Sequence, residues 1–244
     1  MLKQRRNCKE EMMIQVSHIT VRFGSTEVLH DVSCTFPSGS ITGLMGRNGS
    51  GKTVLLKTIC GFVVPKSGTV RIDGATLTPK NAHTFSVGML IESPGFLREY
   101  SGLRNLQLIA SLKGGNSRER AKRAMETMGL DPAKKKHVGK YSLGMRQRLG
   151  LAQALMDDPD ILILDEPMNG LDQACSDQLR ALLKQLAAQG KTIVIASHYA
   201  EDLQNLCGRI YTVADGYIKN TRCSQAALMY DITPDSEPTE GAKQ

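Results

Sequence analysis

Residues 46–53 have the sequence Gly46-Arg47-Asn48-Gly49-Ser50-Gly51-Lys52-Thr53. The stretch matches the pattern G-x-x-x-x-G-K-[ST], in which glycines let the backbone curl so that successive N–H groups point inward at phosphate. Lys52 adds a positive charge to this cradle, and the Thr53 hydroxyl is suited to ligate Mg²⁺. We therefore predict that all eight residues bind a nucleotide, with ATP and Mg²⁺ as the cofactors. A glycine-rich turn with an accidental lysine is the alternative.

The segments beside this loop are those that a phosphate-binding loop requires. Residues 41–45 are apolar and predict a buried strand, and residues 52–60 have helical spacing that stops at Gly61. The N-terminus of that helix then points at the anion. Strand, loop and helix therefore agree with the nucleotide prediction.

A second apolar run ends in two acids. Residues 161–164 predict a strand that is covered on both faces, and Asp165 and Glu166 follow at its C-terminal end, where such strands meet ligands. We predict that Asp165 holds Mg²⁺, usually through water, and that Glu166 orients and deprotonates the water that attacks the γ-phosphate. A strand that simply ends before a proline is the alternative.

Ser142 precedes a stretch with helical spacing at residues 145–156. A serine in this position is a common N-cap, and that role alone could account for it. Alternatively, Ser142, the backbone of Gly144 and the N–H groups of the helix start form a second anion site. A single chain has no use for two γ-phosphate sites so far apart in sequence unless a second copy faces it.

Together with Ser197-His198, these segments resemble the nucleotide-binding subunit of an ATP-binding cassette (ABC) transporter, over residues 13–221. The resemblance implies an α/β fold of the P-loop NTPase, ABC-ATPase type. Such a fold has a parallel core sheet, an antiparallel β subdomain and an inserted helical subdomain, here at about residues 93–157. The predicted organisation is a basic N-terminal extension at residues 1–12, the ATPase domain at residues 13–224 and a polar C-terminal tail at residues 225–244.

The family's usual signature is Leu-Ser-Gly-Gly-Gln, where this chain has Tyr-Ser-Leu-Gly-Met at residues 141–145. Only Ser142 and Gly144 match, so only these two are carried over as nucleotide-binding residues. Asn169-Gly170-Leu171-Asp172 matches the loop that crosses the dimer interface, which adds Asp172 to the nucleotide-binding residues. The resemblance thus implies a head-to-tail dimer in which each ATP lies between Lys52 and Thr53 of one subunit and Ser142 and Gly144 of the other.

Two further positions take their roles from the family. Phe23 occupies the place of the aromatic residue that stacks on adenine, and His198 that of the histidine that contacts the γ-phosphate and supports the attacking water. Phe23 as ordinary strand core and His198 as a strand-end histidine with a local partner are the alternatives.

The chain departs from the family in the loop that links the core to the helical subdomain. Most members have glutamine where this sequence has Glu92, within Ile91-Glu92-Ser93-Pro94. Glu92 is predicted to approach the nucleotide and Mg²⁺, where a carboxylate is a stronger ligand than an amide but repels the γ-phosphate. With the altered signature, this pattern resembles the bacitracin-transport and lantibiotic-immunity branch.

Composition limits the remaining possibilities. With 244 residues, 41% of them hydrophobic, the chain is long enough for one two-lobed domain but too short for two such ATPase units. No apolar run approaches the roughly 18 residues of a membrane span, and no signal-type stretch follows the N-terminus. The six cysteines are scattered, as in a reduced cytosolic protein. The net charge of +7 includes basic clusters without interleaved aromatics, so solvated surface charge is expected and no nucleic-acid partner.

The predicted function is ATP hydrolysis that energises an ABC transporter, with export of antimicrobial peptides or drugs as the activity implied by the branch. The predicted partners are a membrane permease on a separate chain and a second copy or a paralogue of the ATPase. The expected location is cytoplasmic, peripheral on the inner face of the cell membrane. Import, lipid flipping and polysaccharide export remain open, as do a non-transport ABC ATPase of ribosomes or DNA and a nucleotide-dependent switch that does not hydrolyse.

Overall fold

Two β-sheets and a group of helices form the part of the chain that the computed structural model describes, residues 13–92 and 94–223. The predicted N-terminal extension and C-terminal tail lie outside the described residues. The strands are β1 (Met13–Phe23), β2 (Thr26–Pro37), β3 (Ile41–Met45), β4 (Ser67–Ile72), β5 (Ala75–Thr76), β6 (Val87–Leu90), β7 (Ile161–Asp165), β8 (Thr192–Ser197), β9 (Arg209–Ala214) and β10 (Tyr217–Cys223). The helices are α1 (Lys52–Ile59), α2 (Gly102–Ser111), α3 (Ser117–Thr127), α4 (Leu143–Leu155), α5 (Gln173–Ala188) and α6 (Ala200–Gln204).

The larger sheet has six strands in the order β10-β9-β3-β8-β7-β6. Strands β9, β3, β8, β7 and β6 pair in parallel, and β10 pairs antiparallel with β9. Because parallel strands all end at one edge, the loop after β3 and the acids at the end of β7 face the same edge, with β8 between them. The predicted α/β fold with a parallel core sheet is confirmed.

The smaller sheet is antiparallel, with the order β2-β1-β4-β5, and corresponds to the predicted β subdomain. Its first two strands have 11 and 12 residues. Their pairing is not regular, because the register shifts near His18 and Asp31, which have left-handed φ values of 51° and 47°. Each long strand is therefore interrupted by a bulge, which explains why no long alternating pattern is visible in the sequence.

The apolar run of β7 serves two hydrophobic cores. Ile161 and Ile163 pack into a core formed with α1 and the antiparallel sheet, whereas Leu162 and Leu164 pack into a core formed with the helices α2 to α5. Successive side chains of a strand point to opposite faces, so a strand between two cores is apolar at every position.

The helices α2, α3 and α4 occupy residues 102–155, within the predicted helical segment. Helix α4 begins at Leu143, two residues earlier than its spacing suggests, because the Ser142 hydroxyl caps it by accepting a hydrogen bond from the backbone N–H of Met145. The hairpin turn between β9 and β10 has left-handed φ values of 50° at Asp215 and 76° at Gly216. None of the helices in the described part of the chain combines the length and apolarity needed to cross a bilayer.

Substitution of Gly88 tests the contact between β6 and α4. A Cβ on Gly88 would overlap the carbonyl oxygen of Ala154 and would lie 2.6 Å from Cγ of Pro159. The oxygen belongs to helix backbone and cannot rotate away, so Gly88→Ala should lower the free energy of unfolding by about 2–3 kcal/mol, measured by urea denaturation. Gly95→Ala is the matched control, because a Cβ there meets no atom within 4 Å. Equal stability of the two variants would contradict the prediction.

Candidate nucleotide site

A cavity of about 380 Å³ lies at the edge where β3 and β7 end. Its lining residues come from the loop after β3, the start of α1, the end of β7 and one position of β2: Val28, Asn48, Gly49, Ser50, Gly51, Lys52, Thr53, Val54, Asp165 and Glu166. The structure therefore brings six of the eight predicted loop residues together with both predicted acids. The remaining two, Gly46 and Arg47, form the first part of the same loop.

The start of α1 is open to a ligand. Its N-cap is Gly51, which has a φ of 106° and offers no side chain, whereas Ser101 and Asp172 cap α2 and α5 with theirs. The first N–H groups of α1 have no carbonyl partner within the helix. Nearby, the buried Ser50 hydroxyl has no hydrogen-bond partner among the described residues. Several donors thus converge on one space, as an anion site requires.

Glycine is required at the other end of the loop for a different reason. A Cβ on Gly46 would overlap the carbonyl oxygen of Val213 and lie 2.6 Å from Oγ of Ser50. At Gly46 the loop therefore passes closer to β9 than a residue with a side chain would allow.

Lys52 is buried, with 5% of its surface exposed, and bends back over the loop. Its Nζ donates hydrogen bonds to the carbonyl oxygens of Gly46, at 2.7 Å, and Arg47, at 3.2 Å. Among the ion pairs of the described residues none includes Lys52. A buried ammonium group whose hydrogen-bond partners are neutral carbonyl oxygens favours an anionic ligand.

Thr53 and Asp165 form a pair of oxygen ligands. The Thr53 hydroxyl donates to Oδ2 of Asp165 at 2.6 Å. The pKa of Asp165 is raised, mainly by burial and further by the charges of Glu166 and Glu92, against the opposing effects of the Thr53 hydrogen bond and Lys52. A half-buried carboxylate that is short of positive charge, next to a hydroxyl, fits a hard divalent cation such as Mg²⁺.

The raised pKa of Asp165 predicts a stability effect in the protein without nucleotide or metal. The folded chain holds this proton more tightly than the unfolded chain, so stability falls as the pH rises through the window between the unfolded and the raised folded pKa. Asp165→Asn removes this loss and should raise the melting temperature at neutral pH, in EDTA, by about 2–4 °C. The gain should shrink as the pH is lowered. Asp160→Asn, at the exposed opposite end of β7, is the control; an equal gain there would contradict the assignment.

The two predicted catalytic residues are neighbours. Oε1 of Glu166 accepts a hydrogen bond from the backbone N–H of His198 at 3.0 Å and lies 2.8 Å from Nδ1 of the same residue. Its Oε2 accepts a hydrogen bond from the Ser197 hydroxyl at 3.3 Å. Glu166 also has a left-handed φ of 48°, a strained conformation that is common at active sites. His198 thus contacts Glu166 here, and its contact with a γ-phosphate stays a prediction.

Glu92 does not line the cavity in this structure. Its carboxylate forms an ion pair with Lys57 of α1, with Nζ 2.6 Å from Oε1. It is nevertheless near enough for its charge to raise the pKa of Asp165. Its predicted approach to the nucleotide and Mg²⁺ therefore requires a change of partner and stays a prediction.

The structure does not bring Ser142, Gly144 and Asp172 to the cavity. Gly144 packs against the loop before Asp172, where a Cβ would lie 2.6 Å from the carbonyl oxygen of Gly170. Asp172 caps α5 by accepting a hydrogen bond from the backbone N–H of Cys175 at 2.8 Å. Within this chain, the three residues form a separate surface beside the start of α4.

Phe23 is also separate from the cavity lining. It lies at the tip of the β1–β2 hairpin with 52% of its surface exposed, so it is not strand core. Val28 of the same hairpin lines the cavity instead, although nothing in its sequence context singled it out.

Two other contacts escaped the sequence analysis. Nε2 of Gln147 donates to the carbonyl oxygens of Glu166 and Pro167, both at 3.0 Å, and so ties α4 to the segment after β7. The partners are far apart in sequence and carry no local signal. Lys57 could have been noticed, because it lies four residues after Thr53 and hence on the same face of α1.

The fold and the site define an ABC ATPase. The chain belongs to the ABC transporter family, whose sequence profile matches residues 29–169, and it is the ATP-binding, ATP-hydrolysing subunit of such a transporter. The bacitracin transport ATP-binding protein BcrA of Enterococcus faecalis is 40% identical over 211 residues, which cover 85% of this chain and 68% of the relative. The lantibiotic transport ATP-binding protein SrtF of Streptococcus pyogenes is 31% identical over 206 residues, which cover 84% of this chain and 89% of the relative. The predicted resemblance to this branch is confirmed.

Among solved structures, a dimeric bacterial ABC transporter cassette has a TM-score of 0.79 at 25% identity, over 86% of this chain and 98% of that one. An ATP-binding cassette dimer bound to ADP and phosphate has the same TM-score of 0.79 at 24% identity, over 86% of this chain and 98% of that one, which supports the fold alone.

Proposed function

We propose that the chain works as one of two facing ATPase subunits that energise the export of antimicrobial peptides through a separate permease. The observation that carries the substrate class is the similarity to relatives named for bacitracin and lantibiotic transport. A peripheral location on the inner face of the membrane is part of the proposal, as are the domain boundaries at residues 13 and 224.

The separation of the two predicted half-sites supports the dimer. The cavity contains the phosphate-binding loop and both acids, whereas Ser142 and Gly144 lie on a different surface of the chain. Leu143, between them, is 55% exposed and so presents an apolar side chain on this surface. A second subunit in head-to-tail orientation would cover this surface and supply Ser142 and Gly144 to the nucleotide. The dimeric cassette of similar fold supports this arrangement.

Nucleotide binding would begin at α1. The phosphates would accept hydrogen bonds from the N–H groups at the start of the helix, and Lys52 would exchange its carbonyl partners for phosphate oxygens. Thr53 and Asp165 would hold Mg²⁺, which when bound neutralises charge on the β- and γ-phosphates. Phe23, at the hairpin tip, would stack on the adenine.

Glu166 would hold the attacking water for hydrolysis. Its Oε1 contacts the backbone N–H and Nδ1 of His198, whereas its Oε2 accepts a hydrogen bond from Ser197 and keeps a second lone pair for water. Water attacks the γ-phosphorus, the bond between this phosphorus and the β–γ bridging oxygen breaks, and Glu166 takes the proton that the water loses. His198, already in contact with Glu166, would support the same water.

Exposed apolar side chains support a contact with the permease. Leu97 and Tyr100 are 46% and 43% exposed between Glu92 and α2, and Phe62 is 64% exposed after α1. Large exposed apolar residues at the start of the helical lobe are suited to a partner protein.

The test is ATP hydrolysis by the purified chain, with and without membranes of the source organism that carry the proposed permease, together with growth of a sensitive strain in bacitracin. We expect hydrolysis that rises with the permease and protection that depends on Glu166. Hydrolysis and permease stimulation without protection would indicate another exporter or an importer. Nucleotide binding without hydrolysis would contradict the proposal and favour a switch.

A further inference from the structure

Glu92 and Glu166 occupy equivalent places on neighbouring strands. In the parallel pairing of β6 and β7, Leu90 lies opposite Leu164, and each glutamate follows two residues later. Both have left-handed φ values, 58° for Glu92 and 48° for Glu166. The two carboxylates are therefore carried by similar backbone bends to the same edge of the sheet, where Asp165 adds a third.

Helix α1 makes two successive contacts with this edge. Thr53 donates to Asp165, and one turn further on Lys57 pairs with Glu92. Residues four apart lie on one face of a helix and are displaced by about 6 Å along its axis. Lys57 thus holds Glu92 from a position one helical turn beyond Thr53, and Glu92 does not line the cavity.

The ion pair between Lys57 and Glu92 reduces the negative charge at this edge of the sheet. Asp165 and Glu166 already place two carboxylates at this edge of the sheet, so an unpaired Glu92 carboxylate would repel both of them and the phosphates of a nucleotide. Lys57 neutralises the charge of Glu92, which is exposed, whereas Asp165 and Glu166 are partly buried. The side chains of Lys57 and Glu92 are 32% and 61% exposed, and so exposed an ion pair is weak enough to exchange.

We propose that Lys57 is a positioning residue that holds Glu92 away from the nucleotide pocket until a nucleotide with its metal draws it in. The proposal rests on the nucleotide site proposed above. A neutral glutamine at position 92 would bind Lys57 less strongly than the carboxylate does. The proposed role of Lys57 therefore depends on Glu92, where most members of the family have glutamine.

The test measures binding of a fluorescent non-hydrolysable ATP analogue in Mg²⁺ and in EDTA, and compares the ratio of the two dissociation constants. Lys57→Met should raise this ratio, EDTA over Mg²⁺, by about two- to fivefold, the range that an exposed ion pair supports. Deleting a positive charge weakens the attraction of the nucleotide both in EDTA and in Mg²⁺, and this general effect cancels in the ratio. Lys57→Arg should restore the wild-type ratio. Lys113→Met, which breaks another exposed lysine–carboxylate pair, is the matched control.

The same substitution in a Glu92→Gln background decides the mechanism. If Lys57 acts through Glu92, Lys57→Met should leave the ratio unchanged there. An unchanged ratio in the single variant, or an equal rise in the Glu92→Gln background, would overturn the inference. Lys57→Gln provides a second variant, with thermal unfolding as a check, should Lys57→Met fold poorly. Failure of the wild-type chain to bind the analogue would instead overturn the proposed nucleotide site.

Discussion

Glu166→Gln is expected to reduce ATP turnover by about 10²- to 10⁴-fold while nucleotide binding persists. The amide has nearly the size of the carboxylate, and its oxygen could still accept the hydrogen bond from the His198 backbone. It cannot take a proton from water, so only the chemical step should fail. Phosphate release measures the turnover, and binding of a fluorescent ATP analogue measures the affinity.

Glu126→Gln is the control for this substitution, because Glu126 is exposed on α3, far along the chain from the cavity residues. It should hydrolyse ATP at the wild-type rate. Wild-type turnover in Glu166→Gln would show that another group is the base. A loss of nucleotide affinity equal to the loss of turnover would show that Glu166 supports binding rather than the chemical step. Either result would require a different mechanism.

Lys52→Met should weaken nucleotide binding by about 10- to 10⁴-fold, and hydrolysis should be lost with it. Hydrogen bonds from a charged donor contribute about 1.5–3 kcal/mol each, and one or two to phosphate would be removed. In the chain without nucleotide, the described hydrogen bonds of the Lys52 ammonium go to the carbonyl oxygens of Gly46 and Arg47. The substitution therefore removes two hydrogen bonds to neutral acceptors and no ion pair. Isothermal titration with ATP measures the effect.

Lys66→Met provides the comparison for Lys52→Met, since it removes the same charge from an exposed lysine that pairs with Glu27 at 3.6 Å. Its ATP affinity should stay within about twofold of wild type, because exposed ion pairs contribute little. Circular dichroism of both nucleotide-free variants separates a binding defect from a folding defect. Equal affinities of a folded Lys52→Met variant and the wild type would disprove the role of Lys52.

The parts of the fold that follow from local chemistry could be predicted from the sequence. Residues 161–164 are apolar at every position because β7 separates two cores, and Gly61, with a left-handed φ of 78°, ends α1 where its spacing stops. The turn at Asp215 and Gly216 follows from the residue types that accept positive φ. In each case a few neighbouring residues determine the conformation.

The rest depended on contacts between distant segments. The Gln147 contact with the backbone after β7 and the pairing of Glu92 with Lys57 join segments 19 and 35 residues apart. The bulges in β1 and β2 place left-handed residues at His18 and Asp31, and their positions depend on the pairing of the two strands. The position of the second half-site could be inferred only from the need for a facing copy, because the chain alone does not bring it to the cavity.

The partly buried carboxylate of Asp165 makes the stability of the chain depend on bound nucleotide. Because the empty site keeps a partly desolvated acid beside Glu166, the empty chain is the less stable form, and ATP acts as a ligand that shifts the folding equilibrium. A ligand at 100 times its dissociation constant adds about 2.7 kcal/mol to stability. Bound nucleotide should therefore protect the purified chain from unfolding and from proteolysis of its unfolded form.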